Sequence, residues 1–190
     1  MEGKIWLGAG DIKLRPLQED DLDFVYKLWY DVDTSPFSDG PPYRPISLKR
    51  FKEWFSDEFL PKVDQSSAPG GNVYVIEYRG EKAGLCGFSI EWKRLSAEIW
   101  YEIVREMRGR GIGSKAVSIL LDHIFREYPV RMVEADVYDY NKTSQKLLEK
   151  IGFETAGFDK YAAMKNGEYV SSTKYAISRE KWARMGKNNR

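Results

Sequence analysis

Between Arg105 and Lys115 the chain reads Arg-Glu-Met-Arg-Gly-Arg-Gly-Ile-Gly-Ser-Lys, with glycine at 109, 111 and 113 and a cation at 105, 108, 110 and 115. Closely spaced glycines let backbone N–H groups turn into one concavity, and a helix starting next adds the positive end of its dipole. Such a place binds phosphate or pyrophosphate. The dipole contributes only about 0.3–1 kcal/mol to an exposed anion, so convergent N–H bonds must supply most of the affinity. A P-loop needs Gly-x-x-x-x-Gly-Lys-Ser/Thr, which this stretch lacks. A dinucleotide fingerprint is nominally present as Gly111-x-Gly113-x-x-Ala116, with Glu134 about 20 residues on. Against it, charged residues separate Val104 from Gly109, and a strand hairpin upstream breaks the βαβ order. A glycine turn that holds no ligand is the plain alternative.

Few other side chains offer chemistry. Alternation along Ala97 to Val104 puts Glu98, Trp100, Glu102 and Val104 on one strand face. Cys86 stands alone in an apolar run and reads as a core residue. His123 lies beside the apolar stripe of a helix, where packing or exposure outweighs catalysis. One cysteine and one histidine exclude an internal disulfide and leave zinc or di-iron without ligands, so no metal is expected. Tyr26, Tyr30, Trp54, Trp92 and Trp100 could line a pocket, with core packing as the default.

These residues need a scaffold, and the periodicity supplies one. Ile12 to Arg15 reads as a strand ending at Pro16. Asp20 and Asp21 read as an acidic cap on a helix through Leu22, Val25, Leu28 and Trp29. Residues 33–45 read as a loop, and Ser47 caps a helix carrying Phe51, Trp54, Phe55 and Phe59. Residues 64–72 form a second loop. Strands then follow at 73–76, 84–92 and 97–104, a helix at 114–126, a strand at 130–137 and a helix from Asn141 to Gly152. Two last strands, about 153–164 and 169–177, close around Asn166-Gly167. The sum is one mixed α/β domain over residues 1–190 with no linker.

The chain has 190 residues, 30 Lys and Arg against 29 Asp and Glu, and a formal net charge of +1. So balanced a charge disfavours nucleic acid or an anionic membrane as the main partner. The apolar stretch from Ala116 to Leu121 is far short of the ~20 residues of a spanning helix, and no leader pattern is present, so a cytoplasmic protein is expected.

Arg108-x-x-Gly111-x-Gly113, in its strand–loop–helix setting, resembles the Gln/Arg-x-x-Gly-x-Gly/Ala signature of the GNAT acetyltransferase superfamily. Ala97-Glu98-Ile99-Trp100-Tyr101, Asn141-Lys142-Thr143-Ser144 and Leu148-Glu149-Lys150-Ile151-Gly152-Phe153 resemble segments of its ribosomal-protein (RimJ/RimL-like) branch. Asn166 to Val170, Tyr175 and Glu180-Lys181-Trp182 are similar to its closing strands, and the likeness covers about residues 10 to 182. It implies a mixed, mostly antiparallel sheet of six to seven strands flanked by helices and splayed between its fourth and fifth strands.

The resemblance further implies acetyl-CoA as cosubstrate and a primary amine as acceptor: first a protein N-terminal amine, then a polyamine or aminoglycoside. Ile103, Val104 and Arg105 would pair their backbone with pantetheine, and an amide near Val104 would hold the oxyanion. Arg108, Gly109, Arg110, Gly111, Ile112, Gly113 and Ser114 would cradle the pyrophosphate, with Asn141 on the pantetheine and Lys146 on a phosphate. Glu98 stands where histone-type relatives carry their base, Glu102 is the second choice, and Ser144 is the candidate acid. Residues 33–45 would cover the amine side. Two departures stand out: Leu148 where many relatives have tyrosine, and Ala163 where the branch has glutamate. They keep a non-catalytic acyl-CoA-binding module, or a scaffold, as rival readings; a homodimer is left open.

Overall fold

A computed structural model describes residues 6–30, 47–63, 71–165 and 167–188. The expected loop 33–45, most of the loop 64–72 and Asn166 of the closing turn lie outside them. The strands are β1 (Leu7–Ala9), β2 (Ile12–Pro16), β3 (Gly71–Tyr78), β4 (Glu81–Glu91), β5 (Ser96–Ile103), β6 (Met132–Tyr138), β7 (Glu154–Lys165) and β8 (Glu168–Ser178). The helices are α1 (Leu22–Trp29), α2 (Leu48–Trp54), α3 (Leu60–Val63), α4 (Ile112–Glu127), α5 (Lys142–Ile151) and α6 (Arg179–Asn188). The sheet order is β1-β2-β3-β4-β5-β6-β8-β7, and β5 with β6 is a parallel pair among antiparallel ones.

Among the described residues the sheet has eight strands, against the six to seven expected, and β1 is the unforeseen one. It pairs Leu7 with Leu14 around the Gly10 turn, and of its three residues only Leu7 is buried. One inward residue gives no alternation to read.

The chain packs as two compact units, one of Met1–Phe88 and Tyr101–Ile119, the other of Ser89–Trp100 and Leu120–Arg190. In the first, β2 and β3 align Leu14 with Ile76, and both are fully buried. Ser47 caps α2 by accepting the Arg50 N–H. Trp29, Phe51, Trp54 and Phe59 form edge-on, tilted and stacked pairs with centroids 4.9–6.1 Å apart. Each such pair adds about 0.5–1.5 kcal/mol beyond burial. Tyr26 and Tyr30 join this cluster, so packing accounts for three of the aromatics weighed for a pocket, Trp54 included.

Asp21 corrects the expected acidic helix cap. Its carboxylate meets both terminal nitrogens of Arg15 at 2.7 Å and Lys82 at 2.6 Å, and accepts the Gln18 N–H at 2.9 Å. Arg15 also donates to Glu77 at 2.7 Å. The carboxylate satisfies cations that arrive from β2 and β4, which local sequence cannot announce.

In the second unit, α5 begins where Asn141 Oδ1 accepts the Ser144 N–H at 3.2 Å. It ends at Gly152, whose φ of 109° lets its own N–H and that of Phe153 reach back to the Leu148 carbonyl. The Leu-Glu-Lys-x-Gly-Phe segment is thus a helix stop, with Leu148 and Phe153 as its buried anchors. Arg179 donates to the carbonyls of Phe125, Tyr128 and Val130, at and beyond the C-terminus of α4. Cys86 is fully buried, which pushes its thiol up and leaves it inert. His123 is buried too, and burial lowers its proton affinity.

Candidate active site

In the first unit β5 runs into the glycine stretch through a short turn at Arg105–Met107. Arg108 is extended, Gly109 and Gly111 both take φ of +76°, and α4 opens at Ile112. The left-handed φ explains those two glycines, since a side chain would be strained there even though a Cβ meets nothing within 4 Å. Arg108 Nε donates to the Ile103 carbonyl at 3.0 Å, and Arg110 donates to the Glu106 carbonyl at 3.1 Å. Both guanidiniums therefore brace the loop that carries them. The first helical bond runs from Lys115 N–H to the Gly111 carbonyl, so the amides of Ile112, Gly113 and Ser114 precede any intrahelical partner. Loop and helix start together form an electropositive, amide-rich turn.

Val104 narrows one expectation. Its N–H donates to the Ala83 carbonyl at 2.9 Å, and its carbonyl accepts from Met107. An amide held by β4 cannot also hold an oxyanion. Past Ile103 the strand gives way to the turn at Arg105–Met107. Close approach of the same strands explains Gly84, where an added Cβ would lie 2.0 Å from the Glu102 carbonyl oxygen. Glu102 itself is half-buried in this unit.

The second unit holds Glu98, Asn141, Ser144 and Lys146. The parallel β5–β6 ladder comprises three pairs, Ser96 with Met132, Ala97 with Val133 and Glu98 with Glu134. Among the described residues no further pair follows, although β5 continues to Ile103 and β6 to Tyr138. Glu98 and Glu134 therefore face one another at the last rung, where the strands part. They share a cleft of about 280 Å³ with Ser89, Ile90, Glu91, Arg94, Ser96 and Lys174. Arg94 donates to Glu134 Oε1 at 3.0 Å, and Lys174 stands 3.6 Å from Asp136.

Asn141, Ser144 and Lys146 sit at the start of α5. Capping occupies the Asn141 side-chain oxygen and the Ser144 N–H, leaving the Asn141 Nδ2 group as a donor. Lys146 is exposed. Leu148, the departure from a tyrosine, is fully buried, and Ala163 lies on β7 opposite Val170. The sequence reading missed the charged neighbours of Glu98. The available signal was the pair of carboxylates, Glu134 and Asp136, set among the apolar residues of Val130 to Val137.

In the first unit, a strand that feeds a glycine loop and a helix start has the build of an anion-binding turn. The acetyltransferase (GNAT) domain family matches residues 11–154. The chain belongs to this family and is an acetyl-CoA-dependent N-acetyltransferase. It is 24% identical over 176 residues to an uncharacterized N-acetyltransferase, p20, of Bacillus licheniformis, covering 90% of this chain and 95% of that protein. It is 27% identical over 170 residues to the spermidine N(1)-acetyltransferase of Escherichia coli (strain K12), covering 89% and 87%. RimL, a ribosomal L7/L12 alpha-N-protein acetyltransferase solved in complex with coenzyme A, shares the fold at a TM-score of 0.79 and 22% identity, covering 92% of this chain and 98% of that one. Among the described residues no helix is long and apolar enough to cross a membrane, and no group of three or more His, Cys, Asp or Glu could hold a metal ion.

Proposed function

We propose that residues about 10 to 182 act as one catalytic domain that acetylates a primary amine, with a protein N-terminal amine as the first candidate acceptor. The carrying observation is the β5–β6 ladder that stops at Glu98 and Glu134 while β5 runs on into the glycine loop. Arg108 to Ser114 receive the pyrophosphate of acetyl-CoA on convergent amides. The Ile103 and Arg105 amides face the pantetheine and the thioester oxygen, while Val104 keeps those neighbours oriented through its bond to β4. Asn141 offers its Nδ2 group to the pantetheine, and Lys146 offers a charge to a phosphate.

The amine nitrogen attacks the thioester carbonyl, the C–S bond breaks, and the amine proton passes to Glu98, with Glu102 as the alternative base. Ser144 protonates the departing thiolate. A lysine-like amine of pKa ~10.4 is almost wholly protonated at neutral pH, whereas an α-amine near 7.7–8.0 is roughly a tenth free or more. A base is thus essential for the first and helpful for the second. Glu98→Gln is expected to lower kcat about 10²–10⁴-fold, most strongly below the acceptor pKa. An unchanged pH–rate profile would transfer the role to Glu102. Full turnover in Ser144→Ala would remove the acid.

Resemblance to a spermidine acetyltransferase supports a second reading, a small polyamine acceptor. Coenzyme A release measured across a panel of N-terminal peptides and small amines separates the two.

A further inference from the structure

The β7–β8 hairpin of the second unit ends the sheet and exposes large apolar side chains. Phe158, Tyr161, Met164 and Tyr169 are 63%, 61%, 58% and 64% exposed. They share one face. Phe158 lies opposite Thr173 and Met164 opposite Tyr169, and Thr173 and Tyr169, an even number of residues apart on β8, point to the same side. The Tyr161 ring meets the Tyr169 ring edge-on at 5.3 Å. The β7 register shifts between Asp159 and Ala163, and two bonds fix this bulge. The Ser171 hydroxyl donates to the Lys160 carbonyl at 3.2 Å, and the Tyr161 N–H donates to Asp159 Oδ1 at 2.9 Å. The patch is thus set before any partner arrives, which lowers the cost of binding.

Size and charge choose the partner. Three aromatic side chains that each bury about 150–250 Å² when covered, and a methionine, all more than half exposed, present on the order of 500 Å². That lies near the top of the roughly 300–600 Å² spanned by the largest apolar patch of a monomer. Two such patches together reach the roughly 1,000 Å² that a specific interface needs. The rim sets Asp159 and Glu168 against Lys160 and Lys165, so it has no net sign. A polyanion or a strongly charged protein finds nothing to match there. An identical rim does, because a twofold axis lets lysines meet acids on both sides. The bulge also blunts the β7 edge, which leaves the face as the surface of contact.

We propose that this face is the interface of a twofold homodimer, in which Phe158, Tyr161, Met164 and Tyr169 of each copy pack on the same four residues of the other.

Sedimentation equilibrium of the full chain is expected to show a monomer–dimer equilibrium that stops at two copies. Phe158→Glu and Tyr169→Glu are each expected to raise the dimer Kd about thirtyfold or more, the effect of losing a central anchor. Trp6→Gln, at a ring 55% exposed just before β1, is expected to leave it unchanged. Hydroxyl-radical footprinting of the unaltered protein keeps the proposal open to refutation should the charged variants fold poorly. Oxidation of Met164 and Tyr169 is expected to slow as concentration rises through Kd, while that of Trp6 stays constant. A monomer at every concentration, a dimer indifferent to both variants, growth beyond two copies, or footprints that ignore concentration would each overturn the proposal. So would a variant that still dimerises but loses kcat/KM with N-terminal peptides, which would assign the face to the acceptor protein.

Discussion

Asp21 shows how a single side chain can carry two structural duties. Burial raises its proton affinity, but the bonds from Arg15, Lys82 and the Gln18 amide outweigh that and hold it below the usual carboxylate range. A depressed folded-state value contributes stability above the unfolded pKa of about 3.9, and that stability is lost as pH falls through the folded value. Asp21→Asn is therefore expected to destabilise the protein by about 2–4 kcal/mol at neutral pH, since buried Arg15 keeps Glu77 as its one carboxylate among the described residues. Its urea midpoint should also fall less between pH 5 and pH 3 than that of the unaltered protein. Urea denaturation at both pH values measures each effect. The two acidic residues before α1 announced a charge at its start but not its partners. Arg15 and Lys82 lie 6 and 61 positions away in sequence, and only the sheet brings them in.

At the scale of elements, the second unit depends on how α4 ends. The guanidinium of Arg179, at the head of α6, spans three carbonyls and stacks on the Phe125 ring with its carbon 5.2 Å from the centroid. Cations near a helix C-terminus also meet the negative end of its dipole. Arg179→Ala is expected to lower stability by about 2–3 kcal/mol. Arg179→Lys should recover less than half of that, because one ammonium lacks the planar fork that reaches three separate oxygens. Thermal unfolding of the three proteins decides the point. Elements with a local signature were legible: the Ser47 cap, the Asn141 cap and the Gly152 stop are each written within five residues. The glycine loop was legible for the same reason. The charged cleft was not, because it is assembled by register between strands 36 residues apart, Glu98 against Glu134, and register has no short-range code.

For the molecule as a whole, a net charge of +1 conceals uneven local charge. Arg105, Arg108, Arg110 and Lys115 gather at the glycine loop, while the cleft mixes Glu91, Glu98 and Glu134 with Arg94 and Lys174. Binding of acetyl-CoA to the native chain alone should stabilise it by about 2.7 kcal/mol at a hundredfold excess over Kd. For a chain of this length that corresponds to a rise in Tm of roughly 5–10 °C. The rise should shrink with added salt, because an anion on an exposed loop is screened. A thermal shift with acetyl-CoA at two salt concentrations measures it, and no shift at either would count against the glycine loop as the anion site.

The parted ladder has a consequence for the protein without its ligand. Past Glu98 and Glu134 no further β5–β6 pair is made among the described residues, and the ladder ends inside the sheet. Edges invite extended chains to add to them. The empty enzyme should exchange the amide protons beyond that rung quickly and be more prone to associate there. A ligand that bonds along the gap would then act as a temporary strand, making solubility, like activity, a function of cosubstrate supply.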